Sequence, residues 1–280
     1  MHDLTLFSLI SSVTKSKAYF RHARWSGRRY CPWCNNRSIY RLDDGKFKCS
    51  RCRRKFTEFS GTYLSRLKIP FNNLLYLIHM FVMGVPAFRI AKQSSISKST
   101  IERLFRLFKR VIYDNSLEEL QQLSGELEMD ETLFGGHRKG KRGWGAEGKH
   151  VVFGIYHRNG RVIVFPVSNR RQETLLPIID KHTKHGSVYY TDDYEGYVSL
   201  VMRGKHIRIT KERGKPVGVN NINGLEGFWS YAKVWLYHYR GIPRQYFHYY
   251  LKEIEFRFNS REEDLLEKIV NMLVKLVPPS

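Results

Sequence analysis

The spacing of apolar residues predicts three helices in the first half of the chain. From Phe71, the residues Leu74, Leu75, Ile78 and Phe81 or Val82 recur at three and four, which sets an apolar stripe along one side of a helix. Pro70 marks the boundary before it and Gly84 interrupts it. Pro86 can open a second, short helix at its first turn. After Ser94-Ser95-Ile96, Ser97 is the expected N-cap of a third helix from Lys98 to about Tyr113, with Ile101, Leu104, Phe105 and Phe108 on its buried side. The residues before position 28 are basic and, after a short apolar start, without a clear period; they read as an arm or a short helix.

The period changes to two in the second half. An acidic passage from Ser116 to Glu128 reads as a linker, and short β runs follow at Glu126 to Phe134, His150 to His157 and Arg161 to Val167. Asn159-Gly160 is hairpin chemistry between the last two. Helical spacing returns over Gln172 to His185 through Leu175, Leu176, Ile179 and His182. A strand over Ser187 to Thr191 then ends in Asp192-Asp193. A short helix near Tyr197 to Met202, a strand near His206 to Thr210, a loop with Gly214 and Pro216, a helix around Glu226 and a long helix from about Pro243 to Asn259 complete the order. Around Glu226, a turn of about 100° per residue puts Leu225, Trp229, Ala232 and Leu236 on one apolar face. Glu226 and Lys233 share an edge, roughly 10 Å apart along the helix rise. For an isolated Glu and Lys, a solvated helix flank is the alternative.

Charge narrows the partners. The 280 residues carry 48 Lys and Arg against 26 Asp and Glu, a formal net charge of +22 spread along the whole chain. Such a field favours a polyanion. The basic residues are interleaved with Tyr, Phe and Trp rather than set on one long amphipathic helix, which favours nucleic acid over a membrane surface. The longest apolar run, Leu74 to Met83, is broken by His79 and too short to span a bilayer, and there is no secretory signal, so a cytoplasmic, nucleoid-associated protein is expected. On the third helix, Lys98, Ser99, Glu102, Arg103, Arg106, Lys109 and Arg110 are expected to be exposed. Read as helix-turn-helix, that unit would turn Arg103, Arg106 and Lys109 to the groove or the phosphates of DNA; an ordinary three-helix packing unit is the alternative.

The four cysteines form one pattern, Cys31-x2-Cys34 and Cys49-x2-Cys52. Two such knuckles place four thiolates around one tetrahedral, structural Zn²⁺. A redox pair or two disulfides is the competing reading, which a reducing cytosol disfavours. Phe47 and Phe56 supply what core so small a ribbon has, and the metal is needed to fold it. Arg51, Arg53, Arg54 and Lys55 project from it.

Three strands, helix, strand, helix, strand and then helices is the order of an RNase-H-like α/β fold. In that order Asp130 lies on the first strand, Asp192 at the end of a later strand able to pair beside it, and Glu226 on a helix crossing nearby. Gathered carboxylates need cations, and hard oxygen ligands suit Mg²⁺, with Mn²⁺ able to substitute. Two ions about 4 Å apart would serve an in-line phosphoryl transfer. The divisions expected are a basic arm (1–27), a zinc ribbon (28–60), a helix-turn-helix region (70–115), an RNase-H-like catalytic domain (126–260) and a C-terminal helix (261–280).

Four segments carry a family resemblance: Met129-Asp130-Glu131-Thr132-Leu133-Phe134-Gly135-Gly136, Tyr190-Thr191-Asp192, Asn223 to Lys233, and Glu255-Phe256-Arg257-Phe258-Asn259. They resemble the insertion-sequence transposases with the ISXO-two-like DDE domain, and the Cys-Pro-x-Cys ribbon with Lys55-Phe56-Thr57 is similar to that family's front end. The resemblance implies a DDE/integrase-type catalytic domain, with Asp130, Asp192 and Glu226 as catalytic metal ligands and Lys233 on the transposon end. It implies cleavage and strand transfer at terminal inverted repeats, with double-stranded DNA, both ends and target, as partner and a homodimer or higher oligomer on DNA. The chain departs from the pattern at Asn221, where the family often has His. Two other readings are a domesticated or inactive DNA-binding protein, which would tolerate loss of the acids, and a structure-directed nuclease, which would not need the ribbon and helix-turn-helix.

Overall fold

The period-two run from Glu126 forms a nine-residue strand, β4 (Glu126–Phe134), at the middle of a five-stranded sheet. The protein is described by a computed structural model over residues 3–118, 122–135, 149–209, 221–237, 239 and 242–277. Gly136, Thr210 and the expected loop with Gly214 and Pro216 lie outside the described residues. Before β4 come α1 (Asp3–Ile10), α2 (Val13–Trp25), β1 (Ile39–Arg41), β2 (Phe47–Cys49), β3 (Lys55–Phe56), α3 (Phe71–Val82), α4 (Ala87–Gln93) and α5 (Lys98–Glu118). After it come β5 (His150–His157), β6 (Arg161–Val167), α6 (Gln172–His182), β7 (Val188–Thr191), a 3-10 helix (Glu195–Met202), β8 (Lys205–Arg208), α7 (Asn223–Tyr237), a 3-10 turn (Arg244–Tyr246), α8 (Phe247–Asn259) and α9 (Leu265–Val274). The chain divides into two compact units, Ser116–Arg261 and Met1–Asn115 with Glu262–Ser280.

In the first of these the strand order is β6-β5-β4-β7-β8, with β4, β5 and β6 antiparallel and β4, β7 and β8 parallel. This is the RNase-H-like order. The hairpin between β5 and β6 turns through Gly160 at φ 100°, a left-handed conformation that glycine adopts without strain. Alternation along β4 sends Leu127 and Met129 into a core with Phe153, Ile155, Leu175, Ile179, Tyr189 and Tyr197, under α6 and the 3-10 helix. The opposite face packs Phe134, Val152, Val162 and Val164 against Leu225, Phe228 and Trp229 of α7 and Phe247, Leu251 and Ile254 of α8.

The edge strand β6 is closed by side chains of α8. Asn259 donates to the Val162 carbonyl and accepts from its N–H, both at 2.8 Å, and the Glu255 carboxylate accepts from the Val164 N–H at 2.8 Å. An open edge is a template for another strand, and these contacts blunt it. Asn259→Ala leaves both backbone groups of Val162 without that partner, so a loss of about 1–3 kcal/mol is expected in denaturant unfolding. An unchanged unfolding midpoint would mean that water replaces the amide.

The front unit differs from the sequence expectation at its start. Residues expected as a basic arm form α1 and α2, and α2 is packed: Phe20 is fully buried, against Phe71 at a ring separation of 5.4 Å. Trp25 at the end of α2 completes the ribbon core with Phe47, Phe56, Cys31 and Cys49. α9 packs on α2 and α3, and Val277 donates to the Gly61 carbonyl at 2.7 Å, so the last helix belongs to the front unit. The described residues of the acidic passage are also structured: the first of them extend α5, and Leu123 bridges to Thr183.

Candidate active site and metal centres

Asp130 sits half-buried on β4, on the face that α7 covers. The parallel register pairs Glu126 with Val188 and Glu128 with Tyr190; Asp130 lies two residues further along β4, and Asp192 is the first residue past β7. Their charges act on the same neighbour. Burial raises the Glu131 carboxyl, and Asp130 and Asp192 raise it further against a hydrogen bond from Tyr197, bringing it to about 7.

Each aspartate has a fixed orientation. The Trp229 indole Nε1 donates to Asp130 Oδ2 at 3.1 Å, and the Tyr194 backbone N–H donates to Asp192 Oδ1 at 3.2 Å. Asp193 is exposed, and Tyr194 holds the N-cap position of the following 3-10 helix without a side-chain cap.

Glu226 stands half-buried in the first turn of α7. The helix reaches the sheet because two glycines let it: a Cβ on Gly154, which pairs with Asp130 across β4 and β5, would meet the Trp229 ring at 2.7 Å, and one on Gly224 would meet the Tyr156 ring at 2.2 Å. Leu225, Phe228, Trp229 and Ala232 are buried, whereas Leu236 is partly exposed; Lys233 is exposed two turns below Glu226. The three carboxylates do not crowd to a single point: among the described residues, the four cysteines are the group whose ligand atoms all lie within 4.8 Å of one another. Like charges repel, and a cation is what draws such oxygens together. As hard oxygen donors, carboxylates of this kind suit a divalent ion such as Mg²⁺.

The thiols fit zinc. Cys31 Sγ lies 3.6 Å from Cys52 Sγ, and Cys34 Sγ 3.6 Å from Cys49 Sγ. A tetrahedron with Zn–S bonds of about 2.3 Å has edges of about 3.8 Å. Both knuckles turn alike, with Asn35 and Arg53 at φ 53° and 60° donating back to the Cys31 and Cys49 carbonyls. Burial holds the Cys31 thiol up, at about 12. At Cys49 burial also acts upward, but donors from the Cys52 N–H and Asn36 outweigh it and bring the thiol to about 6.

On α5, Arg103 and Arg106 are exposed as expected, with Ile101, Leu104, Phe105 and Phe108 buried and Ser97 Oγ accepting from the Thr100 N–H at 3.4 Å. Lys109 is not with them. It is only 2% exposed, its stem runs along the apolar side, and its Nζ lies 4.9 Å from the Phe81 ring centroid. A long aliphatic stem and a ring face make burial of that ammonium tolerable, which helical spacing alone does not reveal.

The sequence reading missed three residues around the acids: Trp229 as a donor rather than only core, and the pair Glu128 and Arg158. Glu128 Oε1 accepts from Arg158 Nε at 3.1 Å, and its Oε2 accepts from the Leu225 N–H at 2.9 Å. The one sequence signal was that Glu126, Glu128 and Asp130 share a strand face. Asn221, where the resembling proteins often have His, accepts from the Asn223 N–H through Oδ1 at 3.1 Å and so caps the entry to α7.

Comparison with known proteins agrees with this architecture. Residues 122–259 match the ISXO2-like transposase domain, and residues 14–55 match the transposase zinc-ribbon domain. An uncharacterized transposase-like protein of Haemophilus influenzae is 40% identical over 116 residues, which is 41% of this chain and 94% of that protein. An uncharacterized protein in transposable element ISH50 of Halobacterium salinarum is 22% identical over 258 residues, covering 84% and 86% of the two chains. The crystal structure of the Mos1 strand transfer complex aligns over 72% of this chain and 78% of that one, at 10% identity and a TM-score of 0.24, too low to carry weight. Among the described residues no helix is long and apolar enough to cross a membrane. With a ribbon and a sheet in the matching order, and a relative matched over nearly its whole length, this chain belongs to the family of DDE transposases with the ISXO2-like domain.

Proposed function

We propose that the protein cuts and joins DNA strands at the terminal inverted repeats of its insertion sequence, with Asp130, Asp192 and Glu226 as the ligands of two Mg²⁺ ions. The observation that supports this reading is the parallel pairing of β4, which carries Asp130, with β7, which Asp192 directly follows, on a sheet packed against the helix that carries Glu226. Bound there, the ions would supply charge neutralisation for an in-line phosphoryl transfer. The chain's own part is to hold the aspartates in fixed orientations, through Trp229 and the Tyr194 N–H, and to exclude water on the packed side of α7. Lys233 would contact the transposon end, because it is exposed on the helix that carries Glu226. Both ends of an element must be processed together, so at least two copies act on DNA.

End recognition falls to the ribbon and to α3–α5 acting as helix-turn-helix, with Arg103 and Arg106 toward the groove. Support comes from the exposure of both arginines and the net charge of +22. The test uses duplexes bearing the element's own terminal repeats. Mg²⁺-dependent nicking at the repeat boundary is expected, and binding that falls on the order of a thousandfold between low and moderate salt if roughly six to ten phosphates are neutralised. Arg103→Ala and Arg106→Ala should weaken end binding without changing zinc content. A protein that binds ends tightly and never nicks them would instead be a DNA-binding relic, and cleavage set by DNA structure irrespective of the repeat would make it a nuclease.

A further inference from the structure

We propose that Arg158 is a positioning residue that sets how the three acids stand relative to one another; the inference rests on the catalytic reading above. Arg158 directly follows β5 and is 19% exposed. Its guanidinium touches the elements that carry all three acids. Nε donates to Glu128 at 3.1 Å, two residues before Asp130 on the same strand face. Nη2 donates to the Asn221 carbonyl at 2.7 Å, in the turn that enters α7 and leads to Glu226. The guanidinium carbon lies 3.6 Å from the Tyr190 ring centroid, two residues before Asp192 on β7.

Two further contacts close the arrangement. The Tyr190 hydroxyl donates to Glu126 at 2.9 Å, and Arg158 pairs with the same carboxylate at 3.8 Å. Glu128, 3% exposed, accepts from the N–H of Leu225, the residue before Glu226, and so ties the N-terminal turn of α7 to β4. A helix N-terminus has N–H groups without intrahelical partners, and a carboxylate there is favourable. The strand bearing the first acid thus anchors the helix bearing the third, and Arg158 holds that anchor while stacking on the strand that leads to the second.

A planar fork is required. One guanidinium donates in two directions and stacks on a ring at once, whereas a lysine ammonium has neither the plane nor the fixed fork. Arg158→Lys therefore keeps the charge beside the buried Glu128 and removes the geometry. The paired variant Glu128→Gln with Arg158→Met removes both charges and leaves an acceptor for the Leu225 N–H.

The experiment measures Tb³⁺ affinity by luminescence sensitised through Trp229, whose indole touches Asp130, together with thermal unfolding and the Mg²⁺ concentration for half-maximal nicking. Wild-type protein should bind Tb³⁺ in competition with Mg²⁺. Both variants should unfold within a few degrees of wild type yet lose metal affinity by about ten- to a hundredfold, the usual effect of residues that orient metal ligands. The Mg²⁺ requirement for nicking should rise in parallel. Unchanged metal affinity in either folded variant would overturn the proposal. So would unfolding of both, since Arg158 would then hold the fold rather than the acids. If wild-type protein itself neither binds Tb³⁺ nor nicks DNA, the catalytic reading has failed instead.

Discussion

Asp192→Asn should abolish Mg²⁺-dependent nicking of terminal-repeat DNA, by on the order of a thousandfold or more, equivalent to about 4 kcal/mol of barrier. The effect is large because the substitution removes a charged metal ligand while keeping the shape. The amide oxygen introduced there can still accept from the Tyr194 N–H, as the Asp192 carboxylate does at 3.2 Å, so folding and end binding should persist. Asp193→Asn is the control. Asp193 is exposed, whereas Asp192 is half-buried and accepts from the Tyr194 N–H. That variant should keep substantial nicking. Loss with Asp193→Asn and survival with Asp192→Asn would shift the assignment by one residue, and normal nicking by both would end the three-carboxylate mechanism.

Removal of zinc should unfold the ribbon and with it the recognition of ends. The ribbon's strands are two and three residues long, and its core is Trp25, Phe47, Phe56 and the thiols themselves. A unit so small does not bury enough apolar surface to order itself, and structural zinc contributes about 10–16 kcal/mol to such peptides near neutral pH. With Cys49→Ser, or after chelation, the protein should lose its single zinc, become protease-sensitive between residues 31 and 56, and fail to bind ends. The Ser116–Arg261 unit, with its own sheet and two cores, should stay resistant. A zinc-free protein whose ribbon resists protease and which binds ends normally would show that the thiols are not a metal site.

Much of this site was legible in the chain itself. The strands that carry Asp130 and precede Asp192, and the helix that carries Glu226, follow from periods of two and about 3.6, which are local properties of roughly ten to fifteen residues. The two Cys-x2-Cys knuckles were legible because spacing alone brings each pair of thiols together. Net charge pointed to a polyanion as partner.

What the sequence left open is long-range. α2 has a basic, weakly periodic surface, and only the apolar faces of α3, α9 and the ribbon explain why Phe20 and Trp25 are buried. Lys109 sits at the edge of the apolar face of α5, and its ammonium meets the Phe81 ring of another helix. The bond from Trp229 to Asp130 and the Arg158 link from β4 to α7 join residues far apart along the chain. Local pattern reports which face of an element is apolar, because each residue feels its own neighbours a turn or a pleat away. It does not report which distant group will meet that face, since closing a long loop costs entropy that only the assembled core can offset. The sequence by itself therefore determined most of the elements and the grouping of the four thiols, whereas tertiary packing decided what holds Asp130 and Asp192 and what ties α7 to β4.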